Sequence, residues 1–194
     1  MHMADALISP AVGGTMLAVT AALGAYSIKK NSVGSGSTGF DMDDKKIPLM
    51  GVMGAFVFAA QMINFTIPAT GSSGHIGGAL LLSALLGPYA AFLTMGMILL
   101  IQALFFADGG LLAYGCNVFN MAFYTCFLAY PFIYKKLAGE HKSVKKIWLA
   151  SILTTVAGLQ LGAFSVVVET LLSGKTELPF ATFTALMQPI HLAI

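Results

Sequence analysis

The sequence predicts an all-α membrane protein, a polytopic bundle of six to seven transmembrane helices with its N-terminal segment inserted into the bundle from the outside. The mean hydropathy is +0.84, and 57% of the residues are hydrophobic whereas 9% are charged, far below the roughly 25% charged residues of a soluble domain. Residues 49–107 and 109–134 contain no Lys, Arg, Asp or Glu. Since about 20 residues make one crossing, the first stretch can cross a bilayer more than once.

Turn residues and charges divide the apolar sequence into seven predicted spans, at 11–28, 47–65, 74–86, 89–106, 111–134, 147–172 and 180–194. The third is short and follows a Gly-Ser stretch, so we expect it to begin inside the protein, because unpaired backbone groups are costly at the lipid surface. The seventh stops at Ile194, which leaves it short for a full crossing. We expect residues 1–194 to form a single integral membrane domain.

Lysine placement predicts the orientation in the membrane. Nine of the ten lysines fall between spans one and two or between spans five and six, at Lys29, Lys30, Lys45, Lys46, Lys135, Lys136, Lys142, Lys145 and Lys146. Only Lys175 falls on the other side. Because cytoplasmic loops carry the excess of basic residues, we expect the N-terminus to be outside, together with residues 66–73, which lead to His75.

The Gly/Ser-rich residues 31–46 are typical of a flexible linker, here cytoplasmic. Gly34 and Gly39 have the glycine spacing of a phosphate loop, but Phe40 and Asp41 stand where Lys and Ser/Thr are needed. We therefore expect this chain to bind no nucleotide itself. The lysines lie in loops without interleaved aromatic residues, so we also expect no nucleic-acid binding.

The first two residues, Met1 and His2, predict a metal site. The run 11–28 lacks a basic residue before it and a cleavage site after it, so we expect no signal peptide and a mature chain that starts at Met1. A bulky His2 hinders removal of Met1. A terminal amine, the amide nitrogen of residue 2 and an imidazole on that residue can close two fused chelate rings around one ion. His75 is the candidate for a fourth nitrogen, which completes the square-planar geometry of Ni(II) or Cu(II).

A lone His is more often structural than a ligand, but the predicted topology places His2 and His75 at the same external end. Polar residues nearby are expected to orient the imidazoles or to brace the site. They are Asp5, Gln61, Asn64, Ser72, Ser73, Asp108, Asn117 and Asn120. For His191, an indirect contact with the site and a hydrogen-bonded packing role are equally compatible with its apolar surroundings. Copper ranks below nickel because the methionines form no cluster.

Motifs along nearly the whole chain resemble the NikM/CbiM family, the substrate-binding components of energy-coupling factor transporters. The matching segments are Met1-His2, Asp5, Ser9-Pro10, Pro48-Leu49-Met50-Gly51, residues 55–65 (AFVFAAQMINF), Gly71-Ser72-Ser73-Gly74-His75, Gly77-Gly78, Gln102-Ala103-Leu104, Asp108-Gly109-Gly110, residues 117–121 (NVFNM) and Pro189-Ile190-His191. Two features depart from the family: the last helix normally continues beyond this motif, and the loop at 31–46 is less charged than expected.

The resemblance implies a metal site at the N-terminus in which Met1, His2 and His75 provide four nitrogens. It also implies a location in the cell membrane of a prokaryote. The implied partners are a transmembrane coupling component, a pair of cytoplasmic ATPases and often a small accessory membrane subunit.

The function predicted from these observations is capture of Ni(II) from outside and its passage to the cytoplasm, driven by ATP hydrolysis in partner subunits. Binding is expected to displace protons from the amine, the His2 amide and the imidazoles. Uptake of Co(II) is the nearest alternative. A haem-carrying subunit with His75 and His191 as axial ligands is an alternative from another class. We expect no enzyme, since the sequence contains no H-E-x-x-H or G-x-S-x-G motif.

Overall fold

The computed structural model describes residues 1–32, 46–139 and 143–194. Most of the predicted linker at 31–46 therefore lies outside the described residues. The chain starts with a short 3₁₀ turn at Asp5–Leu7. The elements that follow are α1 (Pro10–Ser32), α2 (Lys46–Gln61), β1 (Asn64–Ile67), β2 (Ser72–His75), α3 (Ala79–Leu86), α4 (Pro88–Phe106), α5 (Tyr114–Ala138), α6 (Val144–Leu172) and α7 (Phe180–Ala193).

The helical membrane class is confirmed, with fewer full spans than the six to seven predicted. Within the described residues, four helices are long and apolar enough to cross a membrane: Pro10–Asn31 within α1, then α4, α5 and α6. Helices α2, α3 and α7 have 16, 8 and 14 residues, short of the roughly 20 that one crossing needs. Large apolar side chains such as Phe105, 77% exposed, and Trp148, 66% exposed, lie on the outer surface, as expected for a lipid-facing bundle.

Small residues allow the helices to approach closely. A Cβ on Gly115 of α5 would collide with the backbone of Leu17 in α1, and a Cβ on Gly158 of α6 would collide with Thr125 of α5. Such contacts are typical of helix packing in membranes, where dispersion rather than water exclusion drives association. The middle of α5, Phe119–Tyr134, has the wider π-type hydrogen bonding and contains Pro131.

A β-hairpin connects α2 and α3 and was not predicted. The sequence predicted helix through residue 65 and again from residue 74, but α2 ends at Gln61 and α3 begins at Ala79. Strands β1 and β2 pair antiparallel, with Asn64 opposite His75. Met3 forms a bridge with Ser72, so the N-terminal segment extends this small sheet beside β2.

Candidate metal centre

The N-terminal tip is inserted into the protein interior. Met1, His2 and Met3 are 1%, 3% and 0% exposed. The Met1 amine donates a hydrogen bond to the Ser73 carbonyl. The His2 carbonyl accepts bonds from the Ser73 N–H at 3.2 Å and from the Ser72 hydroxyl at 3.0 Å. The predicted residues Ser72 and Ser73 therefore fix the tip against β2.

The connection between α4 and α5 holds the other side of the N-terminal segment. Asn117 makes a reciprocal pair with the Met3 backbone: its Oδ1 accepts from Met3 N–H at 2.8 Å and its Nδ2 donates to Met3 O at 3.2 Å. The Gly110 N–H donates to the same carbonyl at 2.9 Å. The Asp5 carboxylate accepts from the Ala113 N–H at 3.0 Å. Asn117 and Asp5 thus brace the segment through its backbone and its first turn.

Two glycines create the room for the tip. Gly109 has a φ of +90°, and a Cβ there would lie 2.9 Å from both His2 Cδ2 and Asn117 Nδ2. A Cβ on Gly162 of α6 would lie 2.9 Å from Met1 Sδ. Any side chain at these positions would displace the first two residues of the chain, because carbon atoms cannot approach so closely.

The two imidazoles lie side by side, with ring centroids 4.6 Å apart and planes inclined by 40°. His2 Nε2 lies 3.0 Å from Gln102 Oε1, and His75 Nδ1 lies 2.8 Å from the Ile76 carbonyl. Both partners are acceptors, so this network assigns the ring protons to His2 Nε2 and His75 Nδ1. The remaining nitrogens, His2 Nδ1 and His75 Nε2, are buried and have no hydrogen-bond partner, which leaves both lone pairs free.

A relay of amides holds the His2 ring. Gln102 Nε2 donates to Gln61 Oε1 at 3.3 Å, and Gln61 Nε2 donates to the Gly77 carbonyl. Both glutamines are fully buried. This direction of donation leaves Gln102 Oε1 as the acceptor for His2 Nε2–H, so the relay fixes both the orientation and the tautomer of His2.

Asp108 lies beside the free nitrogen of His2. Its Oδ1 is 3.4 Å from His2 Nδ1, and its Oδ2 accepts a 2.7 Å hydrogen bond from Asn64 Nδ2. The preceding Ala107, with a φ of +52°, helps turn the chain toward the site. With His2 protonated at Nε2, the lone pair of His2 Nδ1 faces the lone pairs of Asp108 Oδ1. A cation bound between them would replace this repulsion with attraction.

Burial keeps the nitrogen atoms unprotonated near neutral pH. It lowers the pKa of the Met1 amine to about 5, and nearby Asp108 opposes this shift. Burial and then the amine charge lower the pKa of His2 to about 3, against the hydrogen bond that His2 donates to Gln102. The same two causes, followed by His2, lower the pKa of His75 well below 6.5. Burial raises the pKa of Asp108.

Two further predicted residues lie on helices, Asn120 on α5 and His191 on α7. Asn120 Nδ2 donates to Glu169 Oε2 at 2.6 Å and lies 3.7 Å from Met3 Sδ. His191 is fully buried and its Nδ1 lies 2.8 Å from the Met187 carbonyl. The structure therefore gathers every predicted residue around the N-terminal segment or along its supports, with His191 at the edge of the group.

Sequence reasoning missed three contributors, Gln102, Gly109 and Glu169, as parts of the site. The usable signal for Gln102 was a polar residue near the predicted external end of a span, the same signal that marked Gln61. Within the described residues, no three His, Cys, Asp or Glu side chains form a metal-binding group. The candidate set consists instead of two imidazoles and two main-chain nitrogens.

The fold and the site define a helical membrane protein that buries its N-terminal residues beside two imidazoles. Comparisons with known proteins identify its family. Residues 2–194 match the family model CbiM, "Cobalt uptake substrate-specific transmembrane region". The chain therefore belongs to the CbiM family.

Two curated relatives are named as putative or probable fused nickel transport proteins. The chain is 35% identical over 166 residues to the putative NikMN of Archaeoglobus fulgidus, covering 84% of this chain and 52% of the relative. It is 32% identical over 187 residues to the probable LarMN of Lactiplantibacillus plantarum, covering 93% and 54%. The chain thus spans about half the length of these relatives.

A crystal structure described as a truncated transition metal transporter superposes with a TM-score of 0.85 at 31% identity, covering 100% of this chain and 90% of that one. A second transition metal transporter gives 0.82 at 33% identity, covering 100% and 85%. These relatives are named as metal transporters, so they lend no support to the haem-carrying alternative.

Proposed function

We propose that this chain is the substrate-specific membrane component of an energy-coupling factor importer, which captures Ni(II) outside the cell and passes it to the cytoplasm. The observation that carries the proposal is the pair of buried nitrogens without partners, His2 Nδ1 and His75 Nε2, beside a buried terminal amine. Leaving such polar atoms unpaired costs free energy, and a metal ion offsets that cost.

The proposed ligands are the Met1 amine, the His2 amide nitrogen, His2 Nδ1 and His75 Nε2. The Met1 amine and the His2 amide close a five-membered chelate ring, and the His2 amide and His2 Nδ1 close a six-membered one. Nδ1 is the nitrogen that the contact with Gln102 leaves free. His75 Nε2 is likewise freed by the bond from Nδ1 to Ile76. Four nitrogens favour the planar geometry of Ni(II).

Charge balance gives Asp108 a role in this proposal. A divalent ion bound by a neutral amine, two neutral imidazoles and one amide anion carries a net charge of +1 in a buried place. A buried charge requires a partner, and the Asp108 carboxylate is 3.4 Å from His2 Nδ1. Asp108 is therefore proposed as the counter-ion, with Asn64 holding it in position.

Proton release is smaller than the sequence suggested. The sequence predicted displacement of protons from the amine and imidazoles as well as from the amide. With the amine pKa near 5 and the His2 pKa near 3, those groups are unprotonated near pH 7. Only the His2 amide then has a proton to lose, so we propose about one proton per ion.

We also propose an orientation of this chain in the membrane and the other subunits of the importer. With the lysine-rich ends of α1 and α6 in the cytoplasm, the N-terminus lies outside, and residues 1–10 form a metal-binding segment of a single domain, 1–194, in the cell membrane of a prokaryote. Residues 31–46 are the proposed cytoplasmic linker. A transmembrane coupling component, an ATPase pair and a small accessory subunit complete the importer, and this chain performs no reaction on its substrate.

Titration of Ni(II) and Co(II) into the purified protein tests the proposal. We expect one ion per chain, with loss of tight binding in His2→Ala and His75→Ala. His141→Ala, which removes an imidazole outside the proposed set, is the matched control and should bind as the wild type does. Tighter binding of Co(II) than of Ni(II) would make cobalt uptake, the second candidate, the better description. Absence of binding for both ions would end the proposal.

A further inference from the structure

The hydroxyl group of Ser73 is a buried polar group that the proposed four-nitrogen set does not use. The Ser73 backbone anchors the N-terminal tip, because its carbonyl accepts from the Met1 amine and its N–H donates to the His2 carbonyl at 3.2 Å. Its side-chain oxygen is shielded from solvent and has no hydrogen-bond partner among the described residues. An unpaired buried hydroxyl costs free energy, so this oxygen is available to a group that enters the site.

Strand pairing places Ser73 directly opposite His2. The bridge between Met3 and Ser72 is antiparallel, so the residue before Met3 pairs with the residue after Ser72. The bond from the Ser73 N–H to the His2 carbonyl follows this register. Side chains that face each other across antiparallel strands lie on the same side of the sheet, with Cβ atoms about 5 Å apart. The Ser73 hydroxyl and the His2 ring therefore extend from the same face of the small sheet.

His75 lies on this face too. Successive side chains of a strand alternate between its two faces, and His75 follows Ser73 by two residues in β2. The contact between the His2 and His75 rings, with centroids 4.6 Å apart, agrees with this placement. Three buried atoms that have no hydrogen-bond partner in the described part of the chain thus share one face: His2 Nδ1, His75 Nε2 and Ser73 Oγ. Two of them are ligands in the proposed function, and the third belongs to the residue that neighbours both.

We propose that Ser73 Oγ is a fifth, axial donor to the bound ion and that it enables the site to hold Co(II) as well as Ni(II). This inference rests on the proposed function. Four nitrogens in a plane satisfy Ni(II), and since they take the in-plane positions, a further donor can approach only from above or below. Co(II) in a planar nitrogen set binds such a donor. A neutral hydroxyl oxygen supplies it without adding charge, so Ser73 contributes more to Co(II) binding than to Ni(II) binding.

The backbone contacts of Ser73 separate this role from simple anchoring of the tip. Both bonds that hold the tip at Ser73 are made by main-chain atoms, so they persist when the side chain is changed to another small one. A purely structural Ser73 would then support both ions equally. An axial donor matters most to the ion that requires it, and the ratio of the Co(II) and Ni(II) affinities therefore distinguishes the two roles.

Titration of Ni(II) and Co(II) into purified Ser73→Ala and Ser73→Thr measures this ratio. Ala removes the hydroxyl, whereas Thr keeps it on a side chain that strands favour. We expect the Co(II) affinity to fall about tenfold in the Ala variant, with the Ni(II) affinity near the wild-type value, and the Thr variant to bind both ions as the wild type does. Thr66→Ala, which removes an exposed hydroxyl from the residue opposite Ser73 on β1, is the matched control and should change neither affinity.

Ser73→Cys tests directly whether the side chain at position 73 reaches the ion. A thiolate is a soft ligand, and its bond to Co(II) gives an intense charge-transfer band in the near ultraviolet, while the thiol proton passes to solvent. The wild type contains two buried free cysteines, Cys116 and Cys126, so its Co(II)-bound spectrum is the baseline. We expect the band in the Cys variant and not in the wild type.

Three results would overturn the inference: equal losses of both affinities in Ser73→Ala, unchanged Co(II) affinity in that variant, or Co(II)-bound Ser73→Cys without the band. Thermal melting in detergent identifies a Cys variant that fails to fold, and the comparison of Ala with Thr then decides by itself. Failure of the proposed function gives a different pattern, because the wild-type protein itself would then bind neither ion.

Discussion

Replacing Gln102 with Leu should weaken nickel binding without removing any ligand. In the wild type, Gln102 Oε1 accepts from His2 Nε2–H at 3.0 Å, and His2 Nδ1 is left free. Without that acceptor the ring proton is free to move to Nδ1, where Asp108 Oδ1, 3.4 Å away, can accept it. The metal-binding nitrogen is then blocked, and Nε2 of a buried ring is left unpaired.

The magnitude follows from the bond that is lost. Losing a buried hydrogen bond and leaving its partner unpaired costs about 1–3 kcal/mol. A difference of about 1.4 kcal/mol is a factor of ten in affinity. Nickel affinity should therefore fall about tenfold to hundredfold, the range typical of groups that orient metal-bound histidines. Isothermal titration of purified protein with Ni(II) measures the change.

Gln160→Leu is the control, since it removes a half-buried amide whose partner is the Gln188 backbone and not a ring. It should leave nickel affinity near the wild-type value. Equal affinity for Gln102→Leu and the wild type, or equal losses in both variants, would refute the assigned tautomer and with it the choice of His2 Nδ1 as ligand.

Further predictions concern charge, protons and space. Asp108→Asn should lower nickel affinity about tenfold, or about 1.4 kcal/mol, because the bound ion loses its counter-charge. Glu177→Gln, in an exposed loop, is the control and should leave the affinity unchanged. Parallel Ni(II) titrations of the two variants measure the difference. Near neutral pH about one proton should be released per ion, with a second below pH 5 where the amine, of pKa about 5, becomes protonated, so affinity falls more steeply in acid. Calorimetry in buffers of different ionisation enthalpy counts these protons. Release of two protons per ion near neutral pH would contradict the proposed protonation of the site. Gly109 has a φ of +90°, and the Cβ added in Gly109→Ala would lie 2.9 Å from His2 Cδ2, so this variant should lower both thermal stability and nickel affinity. Gly174→Ala, at φ +60° with open space around it, should cost only the backbone strain.

The sequence was most informative about the membrane class and about the ends of the chain. Charge-free stretches at 49–107 and 109–134 leave no fold other than a membrane bundle, since no soluble core can use so much apolar surface. Chelate chemistry singled out Met1 and His2, and lysine placement put His75 at the same end. The structure brings these three residues together, although their role as ligands is still a prediction.

The β-hairpin could not be predicted because its strands have four residues each and β2 contains no apolar residue. Ser72 to His75 carries a glycine and two serines, so local preference favours a turn. The strand forms because the buried N-terminal segment supplies partners, with the Met1 amine bonded to Ser73 O and Ser73 N–H bonded to His2 O. Such pairing depends on residues more than 70 positions apart, which no local pattern reveals.

The residues that support the site could be predicted only in part from the sequence, for the same reason. Gln61 and Asn117 were predicted because they are polar residues near the predicted external end, yet the identical argument applies to Gln102, which makes the direct contact with His2. Glu169 lies near the end of α6 and pairs with Asn120, a contact between two helices that the sequence does not connect. Short-range signals identify polar residues that need partners, but tertiary packing decides which partner each one gets.

The central claim is that the chain's own terminal amine shares one ion with two imidazoles, and a cleavable N-terminal extension tests it most directly. A single residue placed before Met1 converts the amine into an amide and has no space in the buried site, where Met1 is 1% exposed. We predict that the extended protein loses tight Ni(II) binding and that proteolytic removal of the extension, which restores Met1 as the first residue, recovers it. Equal affinity before and after cleavage would contradict the account.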